Sequence, residues 1–397
     1  MKIATASSTE ADSIRAIEAA CESLRNKLGN DPDLLFIQSS VTYDSEKVLA
    51  ELSRLMPEAK IHGGTSCLGS MTEDGFFSSD GRGLSVLGLS DPDGGYGVGA
   101  SPIDGESRKA ASRAVIAALE DAGRPGELPD LIRLTSPPGT EEAIILGIED
   151  ILGPNVPIIG GSSADNTVEG RWKQFANGSS YTDAVVIGVL FPSVETAFAF
   201  HSGYTPTETS GVATRAEGRI LYEIDNQAAA EVYNRWTGGT VDTALADGGN
   251  VLALTTLHPV GREVGEVQGM PYYRLSHPDS VTPDKALTLF SDINEGDRLI
   301  LMNGSRESLV SRAGRVAEAA MEAGSFTADT ISGALVVYCA GCMLTVQEDM
   351  ERVVNNINQS LSGHPFQGAF TFGEQGCFVG GENRHGNLMI SVVVFGK

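Results

Sequence analysis

The stretch Ile61-His62-Gly63-Gly64-Thr65-Ser66 returns later in the chain as Ile158-Ile159-Gly160-Gly161-Ser162-Ser163. Both copies run from an apolar strand into two glycines and two hydroxyls. The segments ahead of them match as well, Leu34-Leu35-Phe36-Ile37-Gln38-Ser39 against Leu131-Ile132-Arg133-Leu134-Thr135-Ser136. Leu35 to Ile61 and Ile132 to Ile158 span the same 26 residues. Two unlike segments held at one spacing predict a duplicated structural unit. Glycines and hydroxyls at strand ends are also where open α/β sheets place ligand sites.

Outward from the first copy, the pattern predicts helix 14–28, strand 34–38, helix 45–56, strand 60–62 and strand 83–89. A turn-rich break at Asp91-Pro92-Asp93-Gly94-Gly95 separates the units. Around the second copy the order repeats as helix 108–122, strand 131–135, helix 141–151, strand 157–159 and strand 184–190. Thr140 stands at the N-cap position of its second helix, with acidic residues in the first turn. Such alternation predicts largely parallel pairing through right-handed crossovers. Beyond about residue 205, strands alternate around a Glu217-Gly218 turn, and Asp225-Asn226 is expected to cap a helix over 227–236. An amphipathic helix over 308–323 follows. A looser third copy is expected from strand 334–338, helix 346–360, strand 369–374 and strand 388–395, with Val336 to Phe370 as its analogous spacing. The fold class read here is α/β: duplicated βαβ units form an N-terminal lobe (1–204), joined to a second α/β lobe (205–397).

Of 397 residues, 52 are acidic and 28 basic, a net charge of −24. That balance speaks against nucleic acid or an anionic membrane as partner, since phosphates are held by Lys and Arg. No apolar run reaches the ~18 residues of a membrane span. Met1-Lys2-Ile3-Ala4-Thr5-Ala6 lacks the apolar stretch of a signal peptide. Five cysteines fit a reducing compartment. A cytoplasmic protein without membrane insertion is the expectation.

These residues resemble the FIST family, sensory α/β proteins with an N-terminal and a C-terminal FIST domain. The first resemblance lies in Ile61–Ser66 with Cys67-Leu68-Gly69, and in Ile158–Ser163. More specific is Ala216-Glu217-Gly218-Arg219-Ile220-Leu221-Tyr222-Glu223-Ile224-Asp225-Asn226-Gln227-Ala228, which looks like the family's opening C-terminal segment. Tyr338-Cys339-Ala340-Gly341 and Phe370-Thr371-Phe372-Gly373-Glu374 look like its two later signatures. The resemblance implies an intracellular small-ligand sensor, with amino acids and similar metabolites the usual proposal. It also implies a separate signalling partner, such as a histidine kinase. Some stand-alone members are described as haem-binding nitric-oxide sensors, which makes haem the alternative cofactor. Where the family usually has an arginine after the Cys-Ala-Gly turn, this chain has Cys342.

The expected ligand contacts are Gly64, Thr65, Ser66, Gly161, Ser162 and Ser163 from the first lobe. From the second lobe come Tyr338, Cys339, Glu374, Asn383 and His385. Glycine backbones would hold an anionic end, and Glu374 an amine. Against this stands the plainer reading of each phrase as a tight strand exit. His385 is the expected axial ligand if haem binds. Cys339 and Cys342 have C-x-x-C spacing, read as buried or pocket-lining residues, a redox pair or metal ligands. There is no Walker A loop, nucleophile elbow or H-E-x-x-H helix. The expectation is therefore a binding protein, with a cysteine-dependent enzyme as the alternative.

Overall fold

The computed structural model describes residues 1–267, 270–378 and 380–397. Its order of elements is one motif laid down three times. The first unit runs from strand Lys2–Ser8 through helix Ser13–Leu28, strand Leu34–Ser39, helix Ser45–Leu55 and strand Lys60–Thr65. A hairpin, Ser70–Thr72 with Gly75–Phe77, then leads to strand Leu84–Ser90. The second unit repeats this from Gly95–Pro102 to Ala184–Phe191, with hairpin Gln174–Ala176 and Ser179–Tyr181. The third begins at Thr196–Ser202 and resumes at helix Arg306–Ala323 after an inserted strand region, Thr205–Asn303. It continues through Ile331–Cys339, Met350–Ser360 and Phe366–Thr371, then hairpin Glu374–Cys377 and Asn383–Gly386, and ends with Met389–Gly396.

The repeated spacing is a hydrogen-bond register. Leu35 lies opposite Ile61, and Ile132 opposite Ile158, in parallel ladders. In the third unit Val336 lies opposite Gly368, two residues short of the expected Phe370. Among the described residues parallel pairing is confined to this one pair per unit, which corrects the expectation of largely parallel sheets. A parallel return needs a crossover of a dozen or more residues, usually helical. Between Lys60–Thr65 and Leu84–Ser90 there is only a hairpin, so the last strand runs antiparallel to Leu34–Ser39.

Each hairpin leaves its own unit. Ser70–Thr72 pairs with Phe366–Thr371 of the third unit, and Gln174–Ala176 with Lys60–Thr65 of the first. Glu374–Cys377 pairs with Ile158–Ser162 of the second. Three six-stranded sheets are thereby locked in a closed cycle. Helices cover their outer faces, as Ala16, Ile17, Val48 and Leu52 do against Leu35, Ile37 and Val86. The inner faces share one core, to which Phe36, Leu87, Ile159, Val186, Val337 and Phe395 all contribute. Burial on both faces explains the nearly continuous apolar strands. The strand Thr196–Ser202 pairs with Met389–Gly396, so residues before the 204/205 division take part in the third unit.

Local signals settle most ends and overturn some. Asp12 caps Ser13–Leu28 by accepting from the Ile14 and Arg15 amides, and Gly29 closes it at φ 87°. Thr140 makes no side-chain capping bond. Asp225 and Asn226 cap no helix; at φ 51° and 62° they turn Ile220–Ile224 back onto Gln227–Ala228, and the helix is Ala229–Trp236. The expected helix 346–360 starts late, as a 3₁₀ turn at Gln347–Asp349 followed by helix Met350–Ser360, and a separate short helix, Ala340–Thr345, precedes it.

Candidate functional site

Five polar side chains meet where the second unit, the third unit's hairpin and the inserted region converge. Glu141 and Glu142 open helix Glu141–Leu152, Ser162 ends strand Ile158–Ser162, and His385 sits on strand Asn383–Gly386. Arg219 comes from the Gly218 turn between Thr205–Glu217 and Ile220–Ile224. Its Nη2 donates to Glu141 Oε2 and Glu142 Oε2, both at 2.7 Å, and its Nε to Asp292 Oδ1 at 3.3 Å. Ser162 Oγ donates to Glu141 Oε1 at 2.7 Å. His385 Nδ1 lies 3.1 Å from Glu142 Oε1, and Nε2 lies 4.0 Å from Glu141 Oε1.

Burial decides the electrostatics. Glu141 is 1% exposed, and burial alone would raise its carboxyl. The charges of His385 and Arg219 overcome that and hold it below the usual range. Glu142 is held far lower, where desolvation is outweighed by His385, which also hydrogen-bonds it, and by Arg219. In return the two carboxylates raise Arg219 above its ordinary value, against the opposing effect of burial. One ligating atom each from Glu141, Glu142 and His385 lies within 4.8 Å of the others, so the trio has the donor set of a small cation site. Arg219 already occupies the cationic role there.

Two atoms of this cluster have no hydrogen-bond partner among the described residues: His385 Nε2 and the neighbouring Gln375 Oε1. Gln375 Nε2 reaches Ser162 Oγ at 3.3 Å. Gly373 fits closely against the histidine, since a Cβ there would lie 2.6 Å from Nε2. An imidazole so enclosed, with Glu142 on Nδ1, does not fit an axial haem ligand. A porphyrin needs an open face beside the coordinating nitrogen.

The expected contacts divide among three places. Ser162 and His385 belong to the cluster. Gly64, Gly161, Ser66 and Ser163 belong to the seams between units. A Cβ on Gly64 would lie 2.8 Å from Thr135 Cγ2, and one on Gly161 would lie 2.3 Å from Thr371 Cγ2. Ser66 Oγ accepts from the Phe370 amide at 2.8 Å, and Ser163 Oγ lies 3.4 Å from Gln174 Nε2. Thr65 accepts from the Lys173 amide at 2.9 Å and borders a cavity of about 280 Å³ with Tyr43, Arg171 and Lys173. Tyr338, Cys339 and Glu374 lie in the third unit's interior. Glu374, expected to take an amine, is fully buried, which raises its carboxyl well above the usual range. Its oxygens accept from Thr371 Oγ1 at 2.8 Å and the Met389 amide at 3.0 Å.

Asn383 ties the third unit's hairpin to the second unit. Its Oδ1 accepts from the Ile158 amide at 2.9 Å, and Nδ2 donates to the Val156 carbonyl at 3.0 Å. Asn383→Ala strands both buried groups and is expected to cost about 1–3 kcal/mol. Urea unfolding checks this; an unchanged midpoint would show that the tie contributes nothing. Sequence reading missed Glu141, Glu142 and Arg219 as site residues. Arg219 lay inside a quoted motif, and the acidic pair was visible only as helix-opening residues.

The FIST N domain model matches residues 33–227, and the FIST C domain model matches residues 229–377. This chain belongs to the FIST family. FIST domains are associated with sensing small ligands in signal transduction. An uncharacterised protein of Methanocaldococcus jannaschii is 34% identical over 88 residues, which is 22% of this chain and 17% of that relative. A cyanuric acid hydrolase structure aligns over 99% of both chains, at 10% identity and a TM-score of 0.36. A second, from A. caulinodans, aligns over 99% of this chain and 98% of its own, at 9% identity and the same TM-score. Among the described residues no helix is long and apolar enough to cross a membrane.

Proposed function

We propose that this FIST protein binds a small zwitterion of the amino-acid class at Arg219, Glu141, Glu142 and His385. One observation carries the reading: a buried imidazole nitrogen without a partner among the described residues, set beside two carboxylates that an arginine from another element bridges. A ligand carboxylate matches the guanidinium fork, and a ligand ammonium matches the two glutamates. The ligand would replace the contacts Arg219 makes with Glu141 and Glu142. Entry is from the side of Arg219, Glu142 and Asp292, which are partly exposed.

Arg219 belongs to the inserted region, whereas the glutamates and His385 belong to the ring of three units. A ligand placed between them changes how the two bodies meet, and only such differential contact can shift a conformational equilibrium. We read the output as a surface change sensed by a separate partner protein, with no catalytic step. A thermal-shift screen of the twenty amino acids, followed by calorimetry, tests the proposal. Ligand at a hundred times Kd stabilises by about 2.7 kcal/mol, a rise of several degrees. Glu142→Gln should abolish the saturable rise while leaving the fold intact. No saturable response to any amino acid, or one unaltered by Glu142→Gln, would sink the assignment.

A further inference from the structure

Arg312 is a second buried charge, and among the described residues it forms no ion pair. It is 1% exposed, and its Nη2 donates only to the Met389 carbonyl, at 3.3 Å. Nε and Nη1 have no acceptor among the described residues. The guanidinium lies 5.6 Å from the Tyr204 ring centre and 5.4 Å from that of Tyr338. A guanidinium does not shed its proton in a protein, so a buried one calls for an anion.

The titratable groups whose charge bears on it are the Cys342 and Cys339 thiols, the Tyr338 and Tyr204 hydroxyls and the buried Glu374 carboxyl. Cys339 ends strand Ile331–Cys339 as the N-cap of helix Ala340–Thr345, and Cys342 follows within the first turn. The Cys339 and Cys342 thiols are hydrogen-bonding neighbours across this turn. Tyr204 Oη lies 3.6 Å from Cys342 Sγ. Burial by itself would raise the Cys342 thiol, but the hydrogen bond from Cys339 and the charge of Arg312 bring it down to about 7, while the Tyr204 hydroxyl gives its proton to the Thr256 carbonyl at 2.7 Å. The remaining cysteines behave oppositely: burial pushes Cys21 and Cys67 up to about 12 and Cys377 to about 11. In the other two units the position of Cys339 holds Ser39 and Ser136, so the thiol is peculiar to the third. Cys342 is fully buried and Cys339 is 6% exposed, and Tyr204, which contacts Cys342, walls a surface cavity of about 200 Å³ with His201, Tyr272 and Phe378.

We propose that Cys339 and Cys342 are a peroxide-sensitive pair that closes reversibly to an intrachain disulfide, with Arg312 holding Cys342 as the attacking thiolate. Cys342 sulfur attacks one peroxide oxygen, the O–O bond breaks, and the departing alkoxide or hydroxide takes a proton from solvent. Cys339 sulfur then attacks the Cys342 sulfenic acid. The S–OH bond breaks, and water leaves with the Cys339 proton. Two thiols lose two electrons, and one peroxide becomes an alcohol (or water) plus water. A small dithiol reverses the change by thiol–disulfide exchange.

The test uses the reduced full chain, treated with hydrogen peroxide, alkylated under denaturing conditions and mapped by peptide mass spectrometry. Cys339 and Cys342 should lose their alkylation sites together, at least tenfold faster than Cys21, Cys67 or Cys377, and regain them with dithiothreitol. Cys339→Ser should trap Cys342 as a sulfenic acid that dimedone captures. Arg312→Met should slow the reaction at least tenfold and Arg312→Lys should largely restore it, with folding checked by circular dichroism. If Arg312→Met does not fold, the dimedone result with Cys339→Ser decides. A Cys342 that reacts no faster than Cys21, or stays free of dimedone in Cys339→Ser, overturns the proposal.

Discussion

Arg219→Ala is expected to lower the unfolding free energy by about 3–5 kcal/mol at neutral pH. The substitution removes the cation that bridges Glu141 and Glu142 and leaves a fully buried carboxylate without its guanidinium partner. Both glutamates are held below the ordinary range in the folded protein. Their pairing therefore contributes fully above the unfolded carboxyl value of about 4.3 and is lost as pH falls through the lower folded values. In the variant, burial is opposed by His385 and by the hydrogen bonds from Ser162 and the Asp292 amide without the guanidinium, and the carboxyls regain protons at higher pH. The deficit should accordingly be largest near pH 7 and shrink towards pH 4. Adding Glu141→Gln should recover part of the loss, because the stranded charge is gone. Urea unfolding at the two pH values decides the matter; a deficit independent of pH would mean lost packing rather than lost charge.

Gly161→Val should cost about 3 kcal/mol or more, at or beyond the upper end for overpacking a buried position. The added Cβ would stand 2.3 Å from Thr371 Cγ2 and 2.8 Å from Thr371 Cβ. Thr371 cannot swing aside, since a β-branched side chain in a buried strand has few rotamers. The clash lies on the seam between the second and third units, where the Ser162 amide donates to the Gly373 carbonyl at 2.8 Å. Gly380→Val makes a control, because nothing lies within 4 Å of a Cβ there. It should change the midpoint by no more than about 0.5 kcal/mol. Thr371→Gly should restore part of the stability of Gly161→Val. Similar losses at Gly161 and Gly380 would contradict the packing argument.

The repeat was legible because a parallel register leaves a fixed offset between directly bonded strands, and Leu35–Ile61 and Ile132–Ile158 preserve it. The outermost strand of each unit was not legible. Lys2–Ser8, Gly95–Pro102 and Thr196–Ser202 mix small, hydroxyl-bearing and apolar residues without a clean period. Hairpin strands such as Ser70–Thr72 are three residues long, too short for any periodicity, and their partners lie in another unit. Ser162 and His385 could be found by residue type and position. Glu141, Glu142 and Arg219 become a site only once distant segments meet, and nothing in their local spacing announces that. The Gly-Gly phrases drew attention for ligand chemistry, yet Gly64 and Gly161 serve close approach between units.

The exchange of hairpins around the ring also imposes an order in time. Ser66, which accepts from the Phe370 amide, is 304 residues away from it along the chain. On the ribosome the first unit's hairpin emerges long before the strand it will join. Its own sheet, too, waits for Gln174–Ala176 to arrive. Until the last strands are made, the nascent chain carries unpaired strand edges of the kind that recruit other chains. Completion is thus a late event that ties both ends of the polypeptide into one cooperative unit. Ser70–Thr72 and Gln174–Ala176, which wait unpaired during synthesis, are fully buried in the finished protein.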